Sequence, residues 1–302
     1  MKLSKSQLAV LALITANIIW GAAPPIFKWA LADIHPYTLA FLRFAIPVLI
    51  LLPFMKGKLK IHPKDWITVI LIGFFGITIN ILFFFHGLLQ APSINAALIG
   101  SSGPIFIILF SLLYLKDKPK SKLVMGGLLG LFGVFLVLIT PIFKSGSIIV
   151  LGNLFYLISM MGSVIAILLT RKIIKRNDPM AITFWTFAVG AGGFAPMFLG
   201  EIQTYGFMQN ITFQGLIGLA FGIFLSSLVA YHLQTYALKY LTAADSSVFT
   251  YIDPIVTILI AAPLLGEFPD AIFVTGSFLV IGGILISEGR LHYHPFHLFL
   301  KK

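Results

Sequence analysis

The sequence predicts an all-α integral membrane protein: ten transmembrane helices arranged as two inverted five-helix repeats. Hydrophobic residues fill 59% of the 302 positions and charged residues 10%, with a mean hydropathy of +1.01. Soluble domains are about half apolar and a quarter charged. Ten stretches hold the roughly 20 apolar residues that a spanning helix needs. The chain also matches itself at an offset of 150 residues, where Pro104 answers Pro254, Asp117 answers Glu267, Pro119 answers Pro269, Gly126 answers Gly276 and Gly133 answers Gly283.

Span 1, residues 8 to 32, follows Lys2 and Lys5 and carries Gly21-Ala22-Ala23, which imitates a signal-peptide cleavage site. Its apolar run continues to Ala32, far beyond a signal core, so it is read as a retained helix. Span 2 covers 36 to 55; its stretch from Pro36 to Phe41 falls on Pro179 to Phe184 in a looser register, as Trp20-Gly21 falls on Met161-Gly162. Spans 3 to 5 cover 66 to 89, 93 to 115 and 121 to 142, and spans 6 to 10 cover 148 to 170, 179 to 200, 213 to 238, 243 to 265 and 269 to 288. The division expected is a first repeat at 1–143, a second at 144–288 and a tail at 289–302. Membrane strands would alternate apolar and polar residues over about 10 positions, and these runs are apolar throughout.

Pro24, Pro25, Pro104, Pro254 and Pro263 fall inside spans, where the missing N–H and the ring kink or unwind a helix. The first four are the candidate gating positions. Gly126, Gly130 and Gly133 in span 5, with Gly276 and Gly283 in span 10, make small faces for close helix contact. The same faces would serve a homodimer.

With the N terminus placed inside, 18 of the 21 Lys and Arg residues fall on the inner side; only Lys144 lies in an outer loop, and Lys28 and Arg43 lie within spans. This bias predicts cytoplasmic termini in a cell membrane. Because each half has an odd number of spans, the second enters from the opposite face. The net charge of +11 does not point to nucleic acid, since it forms no basic reading face. The chain has no cysteine, which excludes disulfides and thiolate chemistry. It also lacks GxxxxGK[ST], HExxH and GxSxG stretches. Neither a cofactor nor a metal is expected, because His292, His294 and His297 sit on a tail without the second shell that a metal site needs.

These residues resemble the drug/metabolite transporter superfamily, in its EamA-type ten-helix branch. The resemblance rests on Trp20-Gly21-Ala22-Ala23 with Lys28, on Arg43 in span 2, and on the end of each repeat, Ser93 to Gly133 and Ala243 to Gly283. It covers the chain to about Glu288. The second repeat keeps the family's Gly-Glu pair as Gly266-Glu267, while the first has Lys116-Asp117. The resemblance implies a central cavity lined by spans 1, 3, 6, 8 and 9, and favours export over uptake.

Asp253 is the sharpest candidate. It stands about ten residues into span 9, roughly 14 Å along the helix, and an aspartate at that depth usually marks a substrate, ion or proton pathway. The competing reading pairs it with Arg43 or Lys28, or bonds it to backbone loosened by Pro254. Asp245 and Ser93 read as helix caps, Asp245 through the capping-box spacing of Thr242-Ala243-Ala244-Asp245. Lys28 reads as snorkelling to the headgroups, and Arg43 as half of a structural pair, although its fork could hold an anionic group. Trp20, Asn80, Tyr156, Tyr231, Gln234 and Tyr251 join Asp253 as the expected substrate-lining set. The function these point to is secondary transport of a small organic metabolite, amino-acid-like or otherwise amphiphilic, by alternating access, with Asp253 as the coupling candidate. The competing classes, a membrane-embedded enzyme and a sensor or scaffold, lack a paired catalytic constellation and a soluble domain respectively.

Overall fold

The structure, a computed structural model, describes residues 4–55, 59–107, 110, 121–139, 147–207, 211–241, 246 and 248–287. Among these residues every regular element is helical and no strand occurs. In chain order they form α1 (Lys5–Ala30), α2 (Pro36–Met55), α3 (Pro63–Gln90), α4 (Ser93–Ile107), α5 (Ser121–Ile139), α6 (Ser147–Ile173), α7 (Pro179–Tyr205), α8 (Phe213–Tyr240), α9 (Phe249–Leu265) and α10 (Ala271–Ser287). Six are long and apolar enough to cross a bilayer, and shorter apolar helices occupy α4, α5, α9 and α10. The expectations for Lys116-Asp117, Asp245, Lys144 and the histidine tail lie outside the described residues.

The helix starts are written in the local sequence. Ser4 and Gln7 form a reciprocal capping box at α1. Asp178 accepts from the N–H groups of Met180 and Ala181 at α7. Prolines open α2, α3 and α7, where their missing N–H has no partner to lose.

Packing follows the internal repeat. α1 lies on α8 and α9, as α6 lies on α3 and α4; α2 pairs with α7, and α5 with α10. The connections repeat this reciprocity. Asp33, between α1 and α2, accepts from the N–H groups of Thr212 (2.7 Å) and Gly215 (2.9 Å) at the start of α8. Burial acts to raise the Asp33 carboxyl, but the Thr212 and Gly215 hydrogen bonds outweigh it and hold the group below its ordinary range. Correspondingly, Asn177, between α6 and α7, grips the start of α3 by accepting from His62 N (2.8 Å) and donating to Asp65 (2.7 Å).

Asp65 also receives both arms of Arg176, with Nε at 2.6 Å. The carboxylate is buried but the arginine is half exposed, so solvent weakens the pair and its hydrogen bonds carry most of the effect. Asp65→Ala is expected to cost about 1–3 kcal/mol by leaving one N–H of the Asn177 amide, whose other bond goes to the Ile173 carbonyl, and one guanidinium edge without their acceptor. A lowered melting temperature of the purified protein, with Asp65→Asn intermediate, is the check.

Four helices are irregular, three of them midway along their length and α9 at its described start. α4 breaks at a turn over Ser101 and Ser102 just before Pro104, and their hydroxyls donate to the carbonyls of Leu98 (2.8 Å) and Ile99 (2.6 Å). The start of α9 is a 3-10 turn, Val248–Tyr251, ahead of Pro254. α3 and α8 pass through π-helical segments, Phe74–Ile79 and Phe221–Tyr231. α1, by contrast, stays helical through Pro24 and Pro25. The carbonyl of Gly21, which Pro25 leaves without its helical donor, accepts from the Thr257 hydroxyl of α9 at 2.6 Å. Of the kink or unwinding expected at Pro24 and Pro25, the unwinding is absent, and at Pro25 a neighbouring helix supplies the lost donor.

Candidate functional site

The irregular segments of α3, α4, α8 and α9 surround one cavity of about 220 Å³, lined mainly by apolar groups. Trp20, Asn80, Tyr156, Tyr231, Gln234 and Asp253 all face it, together with Pro24 and Pro104. Pro25, Tyr251 and Pro254 do not line it. Tyr251 belongs to the 3-10 turn and stands two residues from Asp253, a spacing that places two side chains on different faces of a helix. The wall also takes in α2, α4 and α7 through Arg43, Ala96 and Thr186, beyond the five spans expected.

Asp253 occupies the first turn of the regular part of α9, where aligned backbone N–H groups favour a carboxylate. The first residues of the expected span 9, from 243, lie outside the described residues, and within the described part a 3-10 turn precedes the regular helix. Its depth is nonetheless central. A methyl on Gly21, the seventeenth residue of the 26-residue α1, would stand 2.9 Å from the Asp253 carbonyl oxygen. Only glycine lets the two backbones approach so closely. The suggested pairing with Arg43 or Lys28 is overturned: among the described residues neither contacts Asp253, and its Oδ1 is buried without a hydrogen-bond partner.

Around it the aromatic wall is fixed by edge-on contacts. Tyr231 meets Trp20 at 5.2 Å, Phe187 at 5.4 Å and Phe44 at 5.9 Å, each with its ring steeply inclined. Trp20 donates from Nε1 to the Ser226 carbonyl, at 3.2 Å, in the π segment of α8. Asn80 holds α3 to α6 by donating to the carbonyl (2.8 Å) and hydroxyl (3.1 Å) of Ser159. The hydroxyl of Tyr156 is engaged by the carbonyls of Ala91 and Pro92, both at 3.3 Å, so this residue offers the cavity its ring. Gln234 lines the cavity and makes no hydrogen bond to another described residue.

Near one end of the bundle a carboxylate joins the two halves. Lys28 Nζ lies 2.8 Å from Glu267 Oε1 and 2.8 Å from the Ala91 carbonyl. Glu267 Oε2 accepts from Ser93 N (2.7 Å), Ser93 Oγ (2.6 Å) and Ile94 N (3.3 Å). Gly266, at φ +66°, makes the left-handed turn that aims Glu267 at the start of α4. Lys28 thus does not snorkel, and Ser93 donates to a carboxylate from another helix hairpin instead of capping its own helix. In both cases a partner more than 170 residues away outcompetes the local interaction. The opposite limit of the cavity reaches Thr170 and Leu238, within one turn of the ends of α6 and α8.

Arg43 is the cavity residue that sequence reasoning placed wrongly. No carboxylate pairs with it among the described residues; it is 2% exposed and rests against Ser226, Ser227 and aromatic rings. The signal was present in the sequence, as an arginine seven residues past the start of an otherwise apolar span.

A helical, multi-pass membrane chain enclosing a cavity with polar groups defines the build of a membrane transporter. The chain belongs to the EamA-like transporter family, within the drug/metabolite transporter superfamily, and that family's model matches it twice, at residues 7–139 and 150–288. It is 26% identical over 289 residues to an uncharacterized transporter of Archaeoglobus fulgidus, covering 91% of this chain and 95% of the relative. It is 29% identical to the uncharacterized transporter YyaM of Bacillus subtilis, covering 90% and 91% of the two chains. A solved crystal structure matches with a TM-score of 0.65 at 19% identity, over 95% of this chain and 99% of that one, a likeness of fold.

Proposed function

We propose that this protein is a secondary carrier that exports a small amphiphilic metabolite across the cytoplasmic membrane, with both termini on the cytoplasmic side. Residues 1–143 and 144–288 act as the two inverted repeats, and Asp253 takes up a proton or a cationic group as the cavity changes sides. The observation that carries this reading is the unpartnered Asp253 carboxylate in a cavity walled by the discontinuous helices of both halves. Broken helices meeting near the bilayer centre are the arrangement by which secondary carriers hold solutes and coupling ions.

The Lys28–Glu267–Ser93 junction supports alternating access, because it ties the α9–α10 turn of one half to α1 and α4 of the other. It acts as the outer latch. Glu267→Gln is expected to loosen it, shifting the population by about tenfold for each 1.4 kcal/mol of latch energy removed. The chain has no native cysteine, so the rate at which Ala97→Cys reacts with a membrane-impermeant maleimide added outside reads that shift directly.

Flux of a metabolite panel in proteoliposomes, with and without an imposed pH gradient, tests the whole reading. Protein-dependent movement of at least one amphiphilic solute, stimulated by the gradient, is expected. Flux equal to that of protein-free liposomes across amino acids, organic acids and nucleobases would sink it.

A further inference from the structure

We propose that Arg43 is the anion-recognising group of the cavity, so that the transported molecule carries a carboxylate. This rests on the carrier reading above and narrows it to a substrate class.

A guanidinium offers five N–H donors in a planar fork. In Arg43 the Nη2 group donates to Ser226 Oγ at 2.8 Å and Nε to Ser227 Oγ at 3.4 Å, while Nη1 is buried with no partner. The planar group is clamped by Phe27 at 4.4 Å and Phe44 at 4.8 Å, with Phe85 at 5.9 Å. These rings favour a cation but accept none of its conventional hydrogen bonds. The two serines are neutral. An arginine with a purely structural task inside a membrane bundle meets a carboxylate or backbone carbonyls, because a charge without compensation there is costly. Among the described residues Arg43 has neither, yet it lines the cavity. One edge of the fork is therefore held by α8, the plane is held by aromatic rings, and the remaining edge is left for an incoming group with two acceptor oxygens.

A carboxylate matches that edge in shape and in charge. A dianion such as a phosphate monoester fits less well. The other nearby cation, Lys28, is already paired with Glu267, and Asp253 lies in the same cavity and would repel a second negative charge. The indole of Trp20 and the ring of Phe84 supply the apolar wall for the rest of such a molecule.

The test is isothermal titration of the purified full chain in detergent with matched pairs, leucine against leucinamide and phenylacetate against phenylacetamide. The acid of at least one pair should bind about tenfold or more tighter than its amide. Arg43→Met should bring the two members within about twofold, and Arg43→Lys should keep part of the preference because it retains the charge and loses the fork. Equal binding of acid and amide by the native chain, or an acid preference that survives Arg43→Met, would overturn the proposal. Circular dichroism and gel filtration report whether Arg43→Met folds; if it does not, the native acid–amide comparison and Arg43→Lys still decide. A native chain that moves amines or amides in preference to acids would overturn this assignment and leave the carrier reading standing. A chain that neither binds nor moves any of the compounds would overturn both.

Discussion

Asp253→Asn is expected to reduce gradient-driven flux by on the order of 100-fold while leaving exchange of substrate for substrate measurable. Asparagine matches aspartate in shape but can neither hold a proton reversibly nor carry charge, so the substitution isolates the electrostatic role from packing. The size follows from the setting: an ionisable group near the membrane centre has few alternatives for coupling, and a 100-fold loss of rate corresponds to about 2.7 kcal/mol. The fold should survive. Asp253 makes no hydrogen bond through Oδ1, so an amide there breaks no existing contact at that atom. The check is reconstituted uptake and efflux over pH 5 to 9, with exchange measured in parallel. Undiminished gradient-driven flux at every pH would remove Asp253 from the mechanism.

Gly133→Val is expected to cause the largest loss of stability, about 3 kcal/mol or more, because overpacking against backbone cannot be relieved by a rotamer change. A methyl on Gly133 would stand 2.7 Å from the Gly276 carbonyl oxygen and 3.0 Å from Val280 N, while one on Gly276 would meet Val137 and the Gly133 carbonyl. One on Gly283 would run into the backbone of Gly126 and Gly130. The glycine faces of α5 and α10 thus close on each other within a single chain. Gly282→Ala is the control, since nothing lies within 4 Å of the added carbon. Thermal unfolding in detergent should separate the two variants clearly. Equal melting temperatures would mean that α5 and α10 do not pack as described.

The helix content and the count of apolar stretches were legible because lipid leaves the backbone few choices, and continuous apolar runs near 20 residues declare themselves. The prolines were legible as points of irregularity, but their outcome was not. Pro104 and Pro254 sit beside breaks, whereas Pro25 sits in an unbroken helix whose orphaned carbonyl is served by Thr257. Six of the seven expected lining residues share one cavity because intramembrane polarity points inward. Tyr251 does not, since it stands two residues from Asp253, a spacing that turns the two side chains to different faces. Arg43, Lys28 and Ser93 were misjudged for one reason. Each is decided by a partner from a distant segment, at Ser226, Glu267 or an aromatic ring, and a one-dimensional pattern carries no such proximity.

The π segments of α3 and α8 have a consequence of their own. An inserted residue in a helical turn rotates everything after it by about 100° relative to an uninterrupted α-helix. Asn80 follows directly on one such segment, and Tyr231 closes the other. Deleting one residue from either segment would restore ordinary helical hydrogen bonding with the downstream side chains still on their present faces, whereas closing the segment as α-helix with every residue retained would swing them by about 100°. Which side chains downstream of Ile79 and Tyr231 face the chamber is therefore set by how these two turns are wound, so a π-to-α change in either would alter its lining with no change of sequence.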